Sequence, residues 1–184
     1  MKTPHRFRST RTRLGAAAVA VGATLVLAAP GVGYAAQSAQ ADVSVQAKLT
    51  HSQATAKFKA NGITWSSSGG CSNRNRSNCT SFDKINSSTV NGVITLKKAS
   101  RCAIRLTGGT ETGHASGTYS HWNGYKVDIG MTSCVTSYVK KHFSSIGGSK
   151  WKSGSGNVYY YEGNHWDVTF YNCGGCLAPS RTAG

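Results

Sequence analysis

The sequence predicts an α+β domain, a small antiparallel sheet with flanking helices, stapled by disulfides. Three observations carry that expectation. Tyr125–Met131 alternates, with Tyr125, Val127 and Ile129 on one face and Lys126, Asp128 and Gly130 on the other, which is the period of a half-buried strand. Ser133–Ile146 repeats its apolar residues at three and four (Val135, Tyr138, Val139, His142, Phe143, Ile146), and Gly147-Gly148 comes next as a helix stop. Six cysteines lie beyond a segment built like a secretory leader.

That leader is Met1–Ala41. Lys2, Arg6, Arg8, Arg11 and Arg13 precede the apolar run Leu14–Pro30, and small residues come after it, so cleavage is expected after Ala35, Ala36 or Ala41. No two arginines are adjacent, which favours the general secretion route over the twin-arginine one. The 143 residues from Asp42 onward suit one domain, able to bury about two-thirds of the unfolded surface. Residues 42–62 read as an N-terminal arm or helix, and 63–184 as the catalytic domain. Without the leader, 16 Lys and Arg stand against six Asp and Glu, a net charge of +10. Such a charge favours encounter with polyanions, among them the anionic polymers of a bacterial wall. The cations are scattered, so no nucleic-acid stripe is expected. No stretch of the mature chain nears the ~20 apolar residues of a membrane span. The chain reads as a secreted, extracellular monomer.

Along the mature chain, a helix around Leu49–Ala60 is the ordered alternative to a loose arm, and Asn61-Gly62 ends it. Ile63-Thr64-Trp65 opens an ordered stretch, and Ser66–Asn78 is a Gly/Ser/Asn loop. Thr80 or Ser81 caps a short helix at Phe82–Ile85, and a second helix is expected around Ser88–Lys98. Cys102–Leu106 alternates as a strand, and Thr107–Ser120 is loop. Val158–Tyr161 and His165–Tyr171 are strands flanking the turn Glu162-Gly163-Asn164.

The cysteines are Cys71, Cys79, Cys102, Cys134, Cys173 and Cys176. An even count behind a leader implies three disulfides, and six cysteines allow fifteen pairings. Cys71–Cys79 brackets a polar loop and is the favoured pair. If Cys173 and Cys176 close on each other, Cys102 is left with Cys134. A zinc ribbon or redox motif at Cys173-Gly-Gly-Cys176 lacks its second half or its context.

Only six acids remain in the mature chain: Asp42, Asp83, Glu111, Asp128, Glu162 and Asp167. Several fall beside histidines. His121 and Asp128 sit seven apart around Gly124, within reach of one metal across a loop-to-strand turn. His165 supplies a third ligand, and Glu162, three residues earlier, faces the fourth position. Two histidines and a carboxylate with an open position is the plan of a catalytic zinc centre. Glu162 is then the general base. Asp167, two residues from His165 on the same strand face, is placed to hydrogen-bond a ligand. His114 orients substrate or a ligand, or is merely a satisfied loop histidine. Glu111 is a cleft candidate, His142 packs on its helix, and His51 and Asp42 belong to the arm.

Ser120-His121-x-x-Gly124-x-x-x-Asp128, with Glu162-x-x-His165-Trp166 downstream, resembles the M15 zinc peptidases, the D-Ala-D-Ala carboxypeptidases and peptidoglycan endopeptidases. Ile104–Gly109 and Gly113-His114 also fit that family's approach to its first zinc histidine. The resemblance spans about Ile104 to Trp166. It implies zinc held by His121, Asp128 and His165, with Glu162 as base. It also implies the small sheet shared with lysostaphin-type enzymes and the hedgehog signalling domain. The family commonly has serine where Tyr119 stands and a small residue at Lys126. Where it carries an arginine, this chain has Thr110-Glu111, with Arg105 or Arg101 the nearest replacements.

The expected function is therefore a zinc metallopeptidase cutting an amide bond in peptidoglycan peptides, with zinc as cofactor and a cell-wall polymer as partner. Three alternatives stand beside it. Asp128 and Glu162 could be the carboxylate pair of a muramidase- or chitosanase-like glycosidase. The chain could be a non-catalytic wall-binding module. A basic nuclease using Glu162 and His165 would need a phosphate-binding arginine beside them, and none is adjacent.

Overall fold

The computed structural model describes residues 47–171, so the leader, Cys173 and Cys176 lie outside the described residues. Helix α1 (His51–Ala60) starts at a capping box, in which Thr50 and Gln53 exchange side-chain and backbone hydrogen bonds. It is no loose arm: Ala54 and Phe58 are fully buried in the main core. Strand β1 (Lys48–Leu49) precedes it and pairs with β3 (Ile85–Asn86).

The expected helix at Phe82–Ile85 is absent. Lys84 has a left-handed φ of 61°, which breaks a helix, and Ile85 goes into β3 instead. Two side chains stabilise this path. Thr80 Oγ1 donates to the Ser66 carbonyl at 2.8 Å, and Thr110 Oγ1 donates to the Asp83 carbonyl at 2.6 Å. Phe82 is thereby free to bury itself against Phe58 and Trp65. Helix α2 (Ser87–Ser100) then runs two residues longer than Lys98 and buries Val90, Val93 and Leu96.

The sheet is larger than expected. Its seven strands run β2 (Thr64–Trp65), β4 (Arg105–Gly108), β5 (Lys126–Gly130), β9 (His165–Thr169), β8 (Val158–Tyr161), β7 (Lys150–Lys152) and β6 (Ser144–Gly147). Every neighbouring pair is antiparallel except β2–β4, which is parallel. The strands β6 and β7 arise from the end of the expected helix and the segment after it. Helix α3 (Ser133–His142) is capped by Thr132 but stops at His142, where Phe143 turns extended. Phe143 packs on Tyr159 with ring centroids 4.7 Å apart, and Ile146 lies exposed on β6. The Gly147-Gly148 signal is a hairpin signal. Gly148 and Ser149 both have positive φ, as a two-residue turn of the mirror-image type requires.

Alternation sorts the two faces of the central strands. Val127, Ile129, Trp166 and Val168 are fully buried and share one core with Val90, Val93, Val135 and Val139 of the helices. Trp166 donates its indole N–H to Thr136 on α3 at 3.2 Å. The opposite face of the same strands carries Lys126, Asp128, His165 and Asp167. Both disulfides expected within the described residues are present: Cys71–Cys79, and Cys102–Cys134, which ties the end of α2 to the start of α3.

Candidate metal centre

Strand pairing brings the site together. Asp128 on β5 stands opposite Asp167 on β9, and His165 stands opposite Gly130. Beside Asp128, β4 is irregular around Gly108, where a Cβ would lie 2.2 Å from the Asp128 carboxylate; only glycine leaves room for it. The loop after β4 returns His121 to the same place. That return needs the turn at Gly124, whose φ is 76° and whose missing Cβ would strike the Lys84 carbonyl at 2.6 Å. Ser120 serves this turn, its hydroxyl accepting from the Asn123 N–H at 3.2 Å.

Three imidazoles converge on Asp128, and each has its other nitrogen held from outside. His121 Nδ1 sits 2.7 Å from the Gly109 carbonyl, so that nitrogen donates and Nε2 turns inward. Nε2 then faces Asp128 Oδ1 at 3.3 Å and Asp167 Oδ2 at 3.7 Å. His165 Nδ1 meets Asn164 Oδ1 at 2.6 Å, leaving Nε2 3.6 Å from the same Asp128 oxygen. His114 gives Nε2 to Glu111 Oε1 at 3.3 Å and aims Nδ1 at Asp128 Oδ2, 3.8 Å away. Its ring stacks on His121 with centroids 3.8 Å apart.

The donor set fits a cation. His121 is 2% exposed, and neither its Nε2 nor Asp128 Oδ1 has a hydrogen-bond partner, although they face each other. With Nδ1 donating to a carbonyl, a neutral His121 would point a lone pair at carboxylate lone pairs. Only a proton or a metal ion between them removes that repulsion. Ligand atoms of His114, His121 and Asp128 lie within 4.8 Å of one another and could hold a metal ion. Without a metal, burial disfavours charge on His121, but contact with Asp128 and Asp167 outweighs it and pushes its pKa up to about 9.

The surroundings keep the acids ionised. Burial alone would raise the Glu111 pKa, yet His114 and the N–H groups of Ser81 and Gly109 hold it below its usual value. Burial also works against Asp167, and His121 and Lys126 together hold its pKa down. The Lys126 ammonium is 2.8 Å from Asp167 Oδ2.

Of the residues singled out in the sequence as metal ligands, His121 and Asp128 belong to the group that could hold a metal ion, but its third member is His114 rather than His165, whose Nε2 stands 3.6 Å from Asp128 Oδ1. Glu162 Oε2 lies 3.2 Å from His165 Nε2, at the tip of the β8–β9 hairpin and 37% exposed. Glu111 and Asp167 adjoin them. Arg105, the exposed first residue of β4, lies against Gly130. Sequence reasoning passed over Asn164, Lys126 and the Gly109 carbonyl, which orient or neutralise the ligands. It also passed over Arg74, in the Cys71–Cys79 loop. Its guanidinium donates to the carbonyls of Thr110 and Trp122 and lies 3.5 Å from the centre of the Trp122 ring. No local pattern marks these four: Asn164 holds its sequence neighbour His165 without a periodic signal, and the other three act on residues brought near by the fold. Beside the centre a depression of about 270 Å³ opens between Glu111, His114, Ser116, Ser120 and Trp122.

Comparison of the chain with protein-family models, with curated proteins and with solved structures gives no match in any of the three. Fold and site define an α+β domain with a candidate metal centre on the open face of its sheet. No helix among the described residues is long and apolar enough to cross a membrane. The disulfides agree with an extracellular protein.

Proposed function

We propose that the protein is a secreted zinc-dependent hydrolase that cleaves an amide bond in peptidoglycan peptides. Its sheet would then be of the kind shared by D-Ala-D-Ala peptidases and the hedgehog domain. One observation carries the reading: three imidazoles, each fixed by an outer acceptor, surround a buried carboxylate, while a second carboxylate, Glu162, meets His165 at the exposed rim. His121 and Asp128 would hold the metal with His165, which faces the same Asp128 oxygen, and His114, grouped with His121 and Asp128, would join or orient them. Bound zinc supplies Lewis acidity, polarising a carbonyl oxygen and making water more acidic.

The chain's own groups do the rest. Glu162, exposed and on a glycine-containing turn, takes a proton from the attacking water and returns it to the leaving amine. Glu111 anchors the loop from beneath and holds His114 in place. Lys126 neutralises Asp167, so that one carboxylate rather than two presents its charge to the cation. The depression between His114 and Trp122 offers the substrate peptide a seat.

Digestion of purified peptidoglycan by the mature protein tests the reading. New amino ends are expected, and Glu162→Gln is expected to lower their rate by about 10²-fold or more. New reducing ends instead would move Asp128 and Glu162 into the roles of a glycosidase. No new ends of either kind would leave the amide-hydrolase reading without support.

A further inference from the structure

On the far side of Asp167 from His114, the open sheet face continues into a second depression. Strand register builds its floor: Asp167 stands opposite Asp128 on one side and Tyr160 on the other, and Tyr160 stands opposite Lys150. The row from Asp128 to Lys150 thus crosses four strands, about 14 Å at the usual strand spacing. The depression encloses about 350 Å³. Tyr119 and Tyr171 form its wall, ring centroids 4.7 Å apart and 41% and 39% exposed, and Ile146 projects beside them, 50% exposed. Tyr119 in turn packs edge-to-face on Tyr125, with ring centroids 5.0 Å apart.

Charge and shape narrow the occupant. The one acid lining the groove, Asp167, is already paired with Lys126. Lys150 is left with its ammonium 4.8 Å from the centre of the Tyr160 ring. Flat aromatic faces, phenolic hydroxyls and an uncompensated ammonium on an open surface suit sugar rings that carry carboxylates. The C–H face of a sugar stacks on tyrosine, and its carboxylate meets lysine. We infer that this groove binds glycan of the polymer whose peptide the neighbouring centre cuts, at sugars whose carboxylate is free because they carry no peptide. The inference rests on the reading given under "Proposed function" and deepens it: the polymer lies across the open face, glycan on the Tyr160 side and peptide on the His114 side.

The test is calorimetric titration of the mature chain with peptide-free glycan strands bearing carboxylate substituents. The double variant Lys150→Glu/Tyr171→Ala should weaken binding by about tenfold or more, since it removes one stacked ring and reverses one charge. Lys57→Ala, an exposed cation on α1, should leave binding unchanged. Equal loss in Lys57→Ala would reduce the binding to net charge and overturn the proposal, as would no binding by the native chain. Glycan-free acidic peptides binding as tightly as glycan would overturn it too. Binding that appears only when the chain is ended after Asn172 would assign the groove to residues 173–184 instead. Amino-end release from peptidoglycan is read separately. Glycan binding that depends on Lys150 and Tyr171, without any amide cleavage, would keep the groove and discard the hydrolase.

Discussion

His121 shows how much of the chemistry rests on one ring. Its Nδ1 is committed to the Gly109 carbonyl, so its Nε2 must face either a proton or a cation. In the metal-free protein that proton is held up to a pKa of about 9, against an unfolded value near 6.5. A raised folded pKa gives stability that is complete below the unfolded value and lost as pH rises through the folded one. The metal-free chain should therefore lose stability between about pH 6.5 and pH 9, while added zinc should restore it by binding the folded state alone. Thermal melts across that range, with and without zinc, check this; a pH-independent metal-free melt would contradict it. Spacing nominates His121 with Asp128 and Glu162 with His165, but it gives His114 only an orienting role, although His114 shares with His121 and Asp128 the group that could hold a metal ion. Asn164 and Lys126 were not legible, since hydrogen-bonding a histidine or neutralising Asp167 leaves no periodic mark.

At the scale of elements, strand alternation predicted β5, β8 and β9 closely, because one face is wholly apolar and the other carries the site. The end of α3 was misread for a physical reason. Phe143 and Ile146 fit a helical stripe, but Phe143 gains more by packing on Tyr159, and the Gly148-Ser149 turn folds the next strand back. The turn at Lys84 was invisible, since its left-handed lysine sits in a segment held by distant Thr110, which donates to the carbonyls of Ser81 and Asp83. Cys102–Cys134 closes a loop that includes β4, the site loop and β5. Replacing both cysteines by alanine should cost about 3 kcal/mol in unfolding free energy. Denaturant titration reads that loss directly, and a midpoint unchanged from the parent would show that the bridge does not stabilise the site's frame.

For the whole molecule, the α+β class was legible in the alternating and helical apolar patterns, and the two disulfides present agree with the extracellular compartment that the even cysteine number suggested. The size of the sheet was not legible, because β2 and β7 are two and three residues long and carry no period of their own. The scales join at the centre itself, where β5, β9 and the loop between β4 and β5 bring three imidazoles to one buried carboxylate. Elemental analysis of the mature protein, purified without chelators, tests this most directly, with His121→Ala beside it and circular dichroism to check that the variant folds. The account predicts one zinc per chain, absent from folded His121→Ala. A native chain that holds no stoichiometric metal, and whose melting temperature does not move when zinc is added, would contradict it.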